Sequence, residues 1–334
     1  NIALARFAEE KGDPAAALQY IDAYLITRPI SVDSYETRVR LLRRLKKDDA
    51  IVPWLASIAE REKFNTPLQT LLAREYRRAG QFAKSEAIYV KLAEDGPSAE
   101  VYRGLFHVYM NDGAAGKGRI LALMDKNIGE ATVRDAQPPA DAVRRAKAMV
   151  DAVNDDAELA LALVEEAFAQ RPGVPDLKYD TIYYLAVLAD RHRKHAEAEQ
   201  FYRRSLPGAR PNHEPVIYSG LLRMLGRGRK HEEMLALAEE GLKRGRNTNP
   251  LLFHREAARA LTALRRYDEA LRRADQAIKE AGDDSRLLFQ LLRVRILTAA
   301  RKFADAEAEC RALLKEHQKP GAEIEIRYAL SNMH

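Results

Sequence analysis

Arg223, Arg259 and Arg295 recur at intervals of 36 residues, and an arginine row of that kind has a definite chemistry. Each guanidinium offers a planar fork of donors matched to a carboxylate or phosphate, and it keeps its charge at any relevant pH. Other residues that could do chemistry make weaker cases. Gly113-Ala114-Ala115-Gly116-Lys117-Gly118 looks like a phosphate-cradling loop, but lacks the wider glycine spacing and the Ser or Thr after the lysine that would bind magnesium. It reads as a glycine-rich turn between helices. His192, His195 and Glu199 have a helical spacing suited to a cation, yet Arg191, Arg193 and Lys194 surround them. Positive neighbours disfavour a metal, so these residues read as a solvated turn.

Cys310 is the sole cysteine, which excludes an intrachain disulfide and a multi-cysteine zinc site. It falls in an apolar helical column where Tyr89 and Tyr202 stand elsewhere, and it reads as a buried side chain rather than a nucleophile. No paired carboxylates stand out from the ordinary charged helix faces. The expectation is a non-enzymatic chain with no cofactor and no metal.

The elements that must position these residues are helical. A composition of 46% hydrophobic and 31% charged residues, rich in Ala, Leu, Arg and Glu, is that of a folded, mostly helical protein rather than a disordered one. With 55 basic against 49 acidic residues the net charge is only +6, which leans toward acidic partners without demanding nucleic acid. A phosphate tracker would show denser basic clusters interleaved with stacking aromatics. The apolar run from Ile182 to Ala189 is far shorter than the roughly 20 residues of a membrane helix.

Along the chain the pattern repeats as one helix (A), a short turn and a second helix (B). The B segments at Gly12 to Pro29, Gly80 to Pro97, Arg266 to Gly282 and Lys302 to Pro320 share a layout. Small residues at Ala17, Ser85, Ala198, Ala270 and Ala306 let helix B approach helix A closely. Phe82, Tyr267 and Phe303 are expected to fill the space beneath the turn, and Gly or Pro stops the second helix.

These residues resemble the tetratricopeptide repeat family over nearly the whole chain, as about nine units plus the first helix of another. The match is strong over Pro67 to Pro97 and Pro250 to Pro320. It is weaker over Val32 to Phe64, where Lys46-Lys47-Asp48-Asp49 replaces the turn glycine and Pro53 sits early in helix B. The family's aromatic near the start of helix A is kept at Tyr35, Tyr102 and Tyr218, but is Arg144 and His254 elsewhere. The resemblance implies an all-α fold: an α-solenoid of stacked antiparallel helix pairs forming a right-handed superhelix. A longer loop is expected near Pro138-Pro139, giving an amino-terminal block at 1–130, a linker at 131–141 and a carboxy-terminal block at 142–334. Both ends fall inside helical patterns, as in a piece of a longer protein.

In such arrays the A helices line the concave side. Successive A helices would present Arg74, His107, Met149, Val187, Arg223, Arg259, Arg295 and Asn332, and one turn earlier Arg103, Arg145, Tyr183, Arg255 and Tyr328. The expected contacts with a peptide or partner domain, an acidic one suiting the arginines, are Arg103, Arg145, Tyr183, Arg223, Arg255, Arg259, Arg295 and Tyr328. The pattern is similar to the carboxylate-clamp arrays of chaperone-binding relatives. The corresponding places hold Thr70, Arg74, Gly104, Ala142 and Ala146, so that activity does not carry over. Arg229, Arg265 and Arg301 share the 36-residue interval yet fall in turns, so internal duplication explains the spacing equally well. The same residues also suit a substrate-presenting arm of a larger enzyme or envelope assembly or transport machine.

Overall fold

A computed structural model describes residues 2–27, 29, 31–133, 137–170, 176–244, 249–317 and 320–331. Among them the regular elements are all helical. The helices pair in chain order: α1 (Ile2–Glu10) with α2 (Pro14–Leu25), α3 (Asp33–Arg44) with α4 (Ile51–Ala59), α5 (Thr66–Arg78) with α6 (Phe82–Asp95). They continue as α7 (Ala99–Tyr109) with α8 (Gly113–Ala131), α9 (Ala140–Asn154) with α10 (Ala157–Ala169), and α11 (Tyr179–Arg191) with α12 (His195–Ser205). The remainder are α13 (Glu214–Arg227) with α14 (His231–Arg244), α15 (Pro250–Ala263) with α16 (Tyr267–Glu280), α17 (Asp283–Ala299) with α18 (Phe303–Glu316), and α19 (Pro320–Ser331). The fold is an all-α solenoid of antiparallel helix pairs. Odd-numbered helices are the A helices and even-numbered the B helices.

Contacts group the chain into two compact units, Asn1–Thr181 and Ile182–His334. The 131–141 segment lies inside the first, and its residues 134–136 are outside the described residues, as is Asn332.

Local chemistry sets the helix starts. Asp13 caps α2 by accepting from the Ala15 and Ala16 amides at 3.1 and 2.9 Å, with Pro14 opening the helix. Asn65 does the same for α5 through Leu68 N, and Ser98 for α7 through Val101 N. Between helices A and B the chain passes through the left-handed region in several pairs, though not between α9 and α10. Gly12 (φ 77°) and Gly80 (φ 72°) do this without strain. Lys46, Arg193, Arg229, Arg265 and Arg301 do it with a side chain, at φ between 55° and 60°. The recurrent turn arginines thus stand where glycine is the natural residue.

Packing follows the small-residue column. Ala17, Ser85, Ala198, Ala270 and Ala306 are all fully buried, and the Ser85 hydroxyl donates to the Ala73 carbonyl of the facing helix at 2.7 Å. Tyr35, Tyr102 and Tyr218 are buried against the same seam. Glycine makes room for the next tyrosine: a Cβ on Gly104 would lie 2.3 Å from the Tyr89 ring, and one on Gly220 would lie 2.5 Å from the Tyr202 ring. Cys310 holds the position of those tyrosines and is buried.

Two expectations need correcting. Phe82 and Phe303 are 38% and 47% exposed, so they lie at the edge of the turn rather than beneath it. The glycine run 113–118 is not a turn: only Gly113 turns, at φ 59°, and the following residues form the start of α8. Gly116 sits there because a Cβ would meet the Tyr109 carbonyl oxygen at 1.7 Å, so backbone approach outweighs helix propensity.

Two outcomes follow. Gly220→Ala should destabilise the second unit by about 1–3 kcal/mol in urea melts, whereas Gly282→Ala, which meets open space, should be close to neutral. Relieving the left-handed residue by Arg265→Gly should stabilise by up to ~1 kcal/mol, the strain released less the added chain entropy of glycine.

Candidate partner-binding face

In the first unit, Arg103 of α7 reaches Asp155 at 3.3 Å, and His107 one turn on meets Asp156 at 2.7 Å. Asp156 also caps α10 by accepting from Leu159 N, and the amide and His107 hold its carboxyl below the usual range even though burial opposes them. Arg145 of α9 donates from Nε to Asn127 Oδ1 at 3.0 Å and lies 3.8 Å from Glu130.

The second unit holds the other sequence-predicted residues. On α11 the Tyr183 ring stacks on His213, with centroids 4.2 Å apart and planes 9° from parallel, and burial raises its phenol pKa. Arg223 of α13 forms an ion pair with Asp190 of α11. Asp190 also accepts from the Tyr202 hydroxyl at 3.4 Å. Burial first, and then the Asp190 charge, push the Tyr202 phenol far above its normal range. On α15, Arg255 Nε and Arg259 Nη1 both bind the buried Glu256 carboxylate, at 2.8 and 3.0 Å. Two guanidiniums share one carboxylate, leaving local positive charge.

Arg295 differs. It is exposed, forms no ion pair with the described residues, and lines a cavity of about 360 Å³ between α17 and α19. Leu291 and Val294 supply apolar wall, Glu325 one carboxylate, and Tyr328, 66% exposed, the rim. Two of the sequence-predicted contacts on neighbouring A helices therefore share one cavity.

The acids Asp155, Asp190 and Glu256 were not singled out in the sequence. Glu256 had a signal, standing three residues before Arg259 on the same helix, the spacing of an intrahelical pair. Asp190 and Asp155 meet their arginines only through the packing of separate helices. Glu75 of α5, bound by Arg43 and Arg78, repeats the theme of a buried acid held by guanidiniums. Among the described residues no group of three or more His, Cys, Asp or Glu side chains is placed to hold a metal. His195 contacts Arg227 and Glu199 contacts Lys230 and Arg203, so both are engaged by cationic side chains.

The profile of the tetratricopeptide repeat family matches residues 255–323, the stretch holding Arg255, Arg259 and Arg295. That stretch is of tetratricopeptide type, and it lies within a chain of repeated helix pairs. No curated protein matches it. Among solved structures it is similar to a tetratricopeptide repeat protein from Parabacteroides merdae, at 13% identity over 89% of this chain and 97% of that one, with a TM-score of 0.30. It is also similar to the tetratricopeptide domain of P58(IPK), at 15% identity over 99% and 96%, TM-score 0.28. Yeast Tom70 aligns at 12% identity over 98% and 86%, TM-score 0.33. These superpositions are loose, and the assignment rests on the profile match and the helix-pair layout. No helix among the described residues is long and apolar enough to cross a membrane.

His254, at the family's aromatic position, is buried with Nε2 3.4 Å from Glu280. Burial, with Arg273 adding to it, lowers its pKa below 6.5 despite the opposing Glu280 charge. The unfolded chain then binds the extra proton more readily, so stability is full above the unfolded pKa and falls as pH drops below about 6.5. His254→Gln should flatten that slope in urea melts between neutral and mildly acid pH.

Proposed function

We propose that the A-helix face of this chain holds a partner polypeptide without transforming it, and that on the 182–334 unit the partner is an extended acidic segment. Stacked repeats build a long surface rather than a single enclosed pocket, and such surfaces serve as interaction scaffolds. The observation that carries the reading is the cavity shared by Arg295 and Tyr328: a guanidinium with no ion pair among the described residues, beside an exposed aromatic ring.

The other arginines support it differently. Asp190 holds Arg223, and Glu256 holds Arg255 and Arg259, in fixed orientations. Pre-oriented guanidiniums lose less side-chain entropy when a second carboxylate arrives. The residual charge at the Arg255–Glu256–Arg259 cluster and the free Arg295 favour an acidic chain. Tyr183 offers a stacking ring in the same unit, and Arg103 and Arg145 are the corresponding contacts of the first unit. At ~1 kcal/mol per charged contact, four contacts multiply affinity several hundred-fold.

A fluorescein-labelled oligoglutamate peptide, followed by anisotropy at low salt, tests this. Arg295→Glu should weaken its binding at least tenfold with unchanged circular dichroism, because the substitution reverses a charge that has no internal partner. Equal binding by the wild-type chain and the variant rejects the assignment.

A further inference from the structure

The weakest repeat of the sequence has a structural consequence on the opposite, B-helix side of the first unit. Helix α4 has 9 residues, against 12 in α2 and 14 in α6. It is entered through a 3-10 turn at Asp48–Ala50, with Pro53 in its first turn. Beside this short helix, between α2 and α4, lies a cleft of about 700 Å³.

The cleft combines an apolar floor with hydrogen-bond donors that have no acceptor among the described residues. Its floor is Leu25, Tyr35, Trp54 and Ile58, and Ile26 stands at the edge 81% exposed. The Arg38 guanidinium carbon lies over the Trp54 ring, 4.0 Å from its centroid, and Trp54 in turn stacks on Tyr35. Arg38 gives its Nε to Asp22 at 2.6 Å, while its Nη1 is buried with no acceptor. Arg61 lines the same cleft, spends its Nε on the Ser57 carbonyl at 3.1 Å, and has no ion pair among the described residues. The lining carboxylates are already engaged: Asp22 by Arg38, and Glu62 by the Asn65 side-chain amide at 3.2 Å.

A guanidinium whose Nε is fixed and whose terminal nitrogens lack acceptors is oriented for a carboxylate. An aromatic ring beside a fixed arginine is also the composition of a binding hot spot. We infer that this cleft is a second docking site, for a peptide segment in which an apolar side chain and a carboxylate are near neighbours. The apolar part would rest on Trp54 and Ile58, and the carboxylate would meet Arg38 and Arg61. The site is separate from the A-helix face.

Trp54 is the chain's only tryptophan beside 14 tyrosines, so emission excited selectively at tryptophan reports on this cleft. The experiment pans a random displayed-peptide library against the full chain, then titrates the enriched peptides as synthetic amides. The expected peptides pair an acidic residue with an apolar neighbour and shift or quench Trp54 emission. They should weaken about tenfold when the acid is replaced by its amide, and by a similar factor on Arg61→Gln and Arg38→Gln. Arg61 is exposed, so its variant keeps the test valid even if Arg38→Gln loosens the packing on Trp54. Arg295→Glu should leave the titration unchanged, separating this site from the A-helix face. The proposal is overturned if no enriched peptide alters Trp54 emission, if the enriched peptides lack acids, or if Arg61→Gln binds them as tightly as wild type.

Discussion

How near helix B can come to helix A governs everything else in this protein. The column Ala17, Ser85, Ala198, Ala270 and Ala306 is fully buried, and any larger side chain there would separate the pair. Where the next A helix also offers glycine, as at Gly104 and Gly220, a tyrosine from the preceding B helix fills the gap. At those two junctions two complementary sizes meet: a small residue within the pair and a large ring between pairs. Because interiors are close-packed, that arrangement fixes which face of each A helix remains outside. The arginine positions are a consequence of it.

Electrostatics then divides the exposed residues into two kinds. Arginines close to a packed acid are held: Arg223 by Asp190, Arg255 and Arg259 by Glu256, Arg43 and Arg78 by Glu75. Pairs near the surface add little stability on their own, so their consequence is orientation more than strength. Arginines with no ion pair among the described residues, Arg61 in the first unit and Arg295 in the second, are where an external anion gains most. Both sit beside apolar or aromatic surface, Tyr328 in one case and Trp54 in the other. A recognition site needs that combination more than it needs a high net charge.

The architecture was legible because its determinants are local. Small residues, turn glycines and capping residues act within one hairpin, and a helical period shows which face is buried. The glycine run at 113–118 misled because Gly116 is selected by the Tyr109 carbonyl against it, a close backbone approach within the same hairpin that residue types alone do not display. The turn arginines were legible as a period but not as strained residues, since φ is a property of the closed turn. Site partners were less accessible still. Asp190 and Arg223 are 33 residues apart and Arg38 and Asp22 are 16 apart, and in a chain that is 31% charged such pairs cannot be chosen without the packing. The arginine period could be read from spacing, whereas the charge remaining beside it depended on acids such as Asp190, contributed by another helix, and Glu256, on the same one.

The most direct measurement is arginine-specific modification with phenylglyoxal, read by mass spectrometry with and without saturating oligoglutamate. The turn residues Arg265 and Arg301 serve as internal references. The account predicts that Arg259 and Arg295 lose reactivity in the complex while Arg265 and Arg301 keep theirs. Equal protection of all four, or protection confined to the turns, would contradict a partner lying along the A helices.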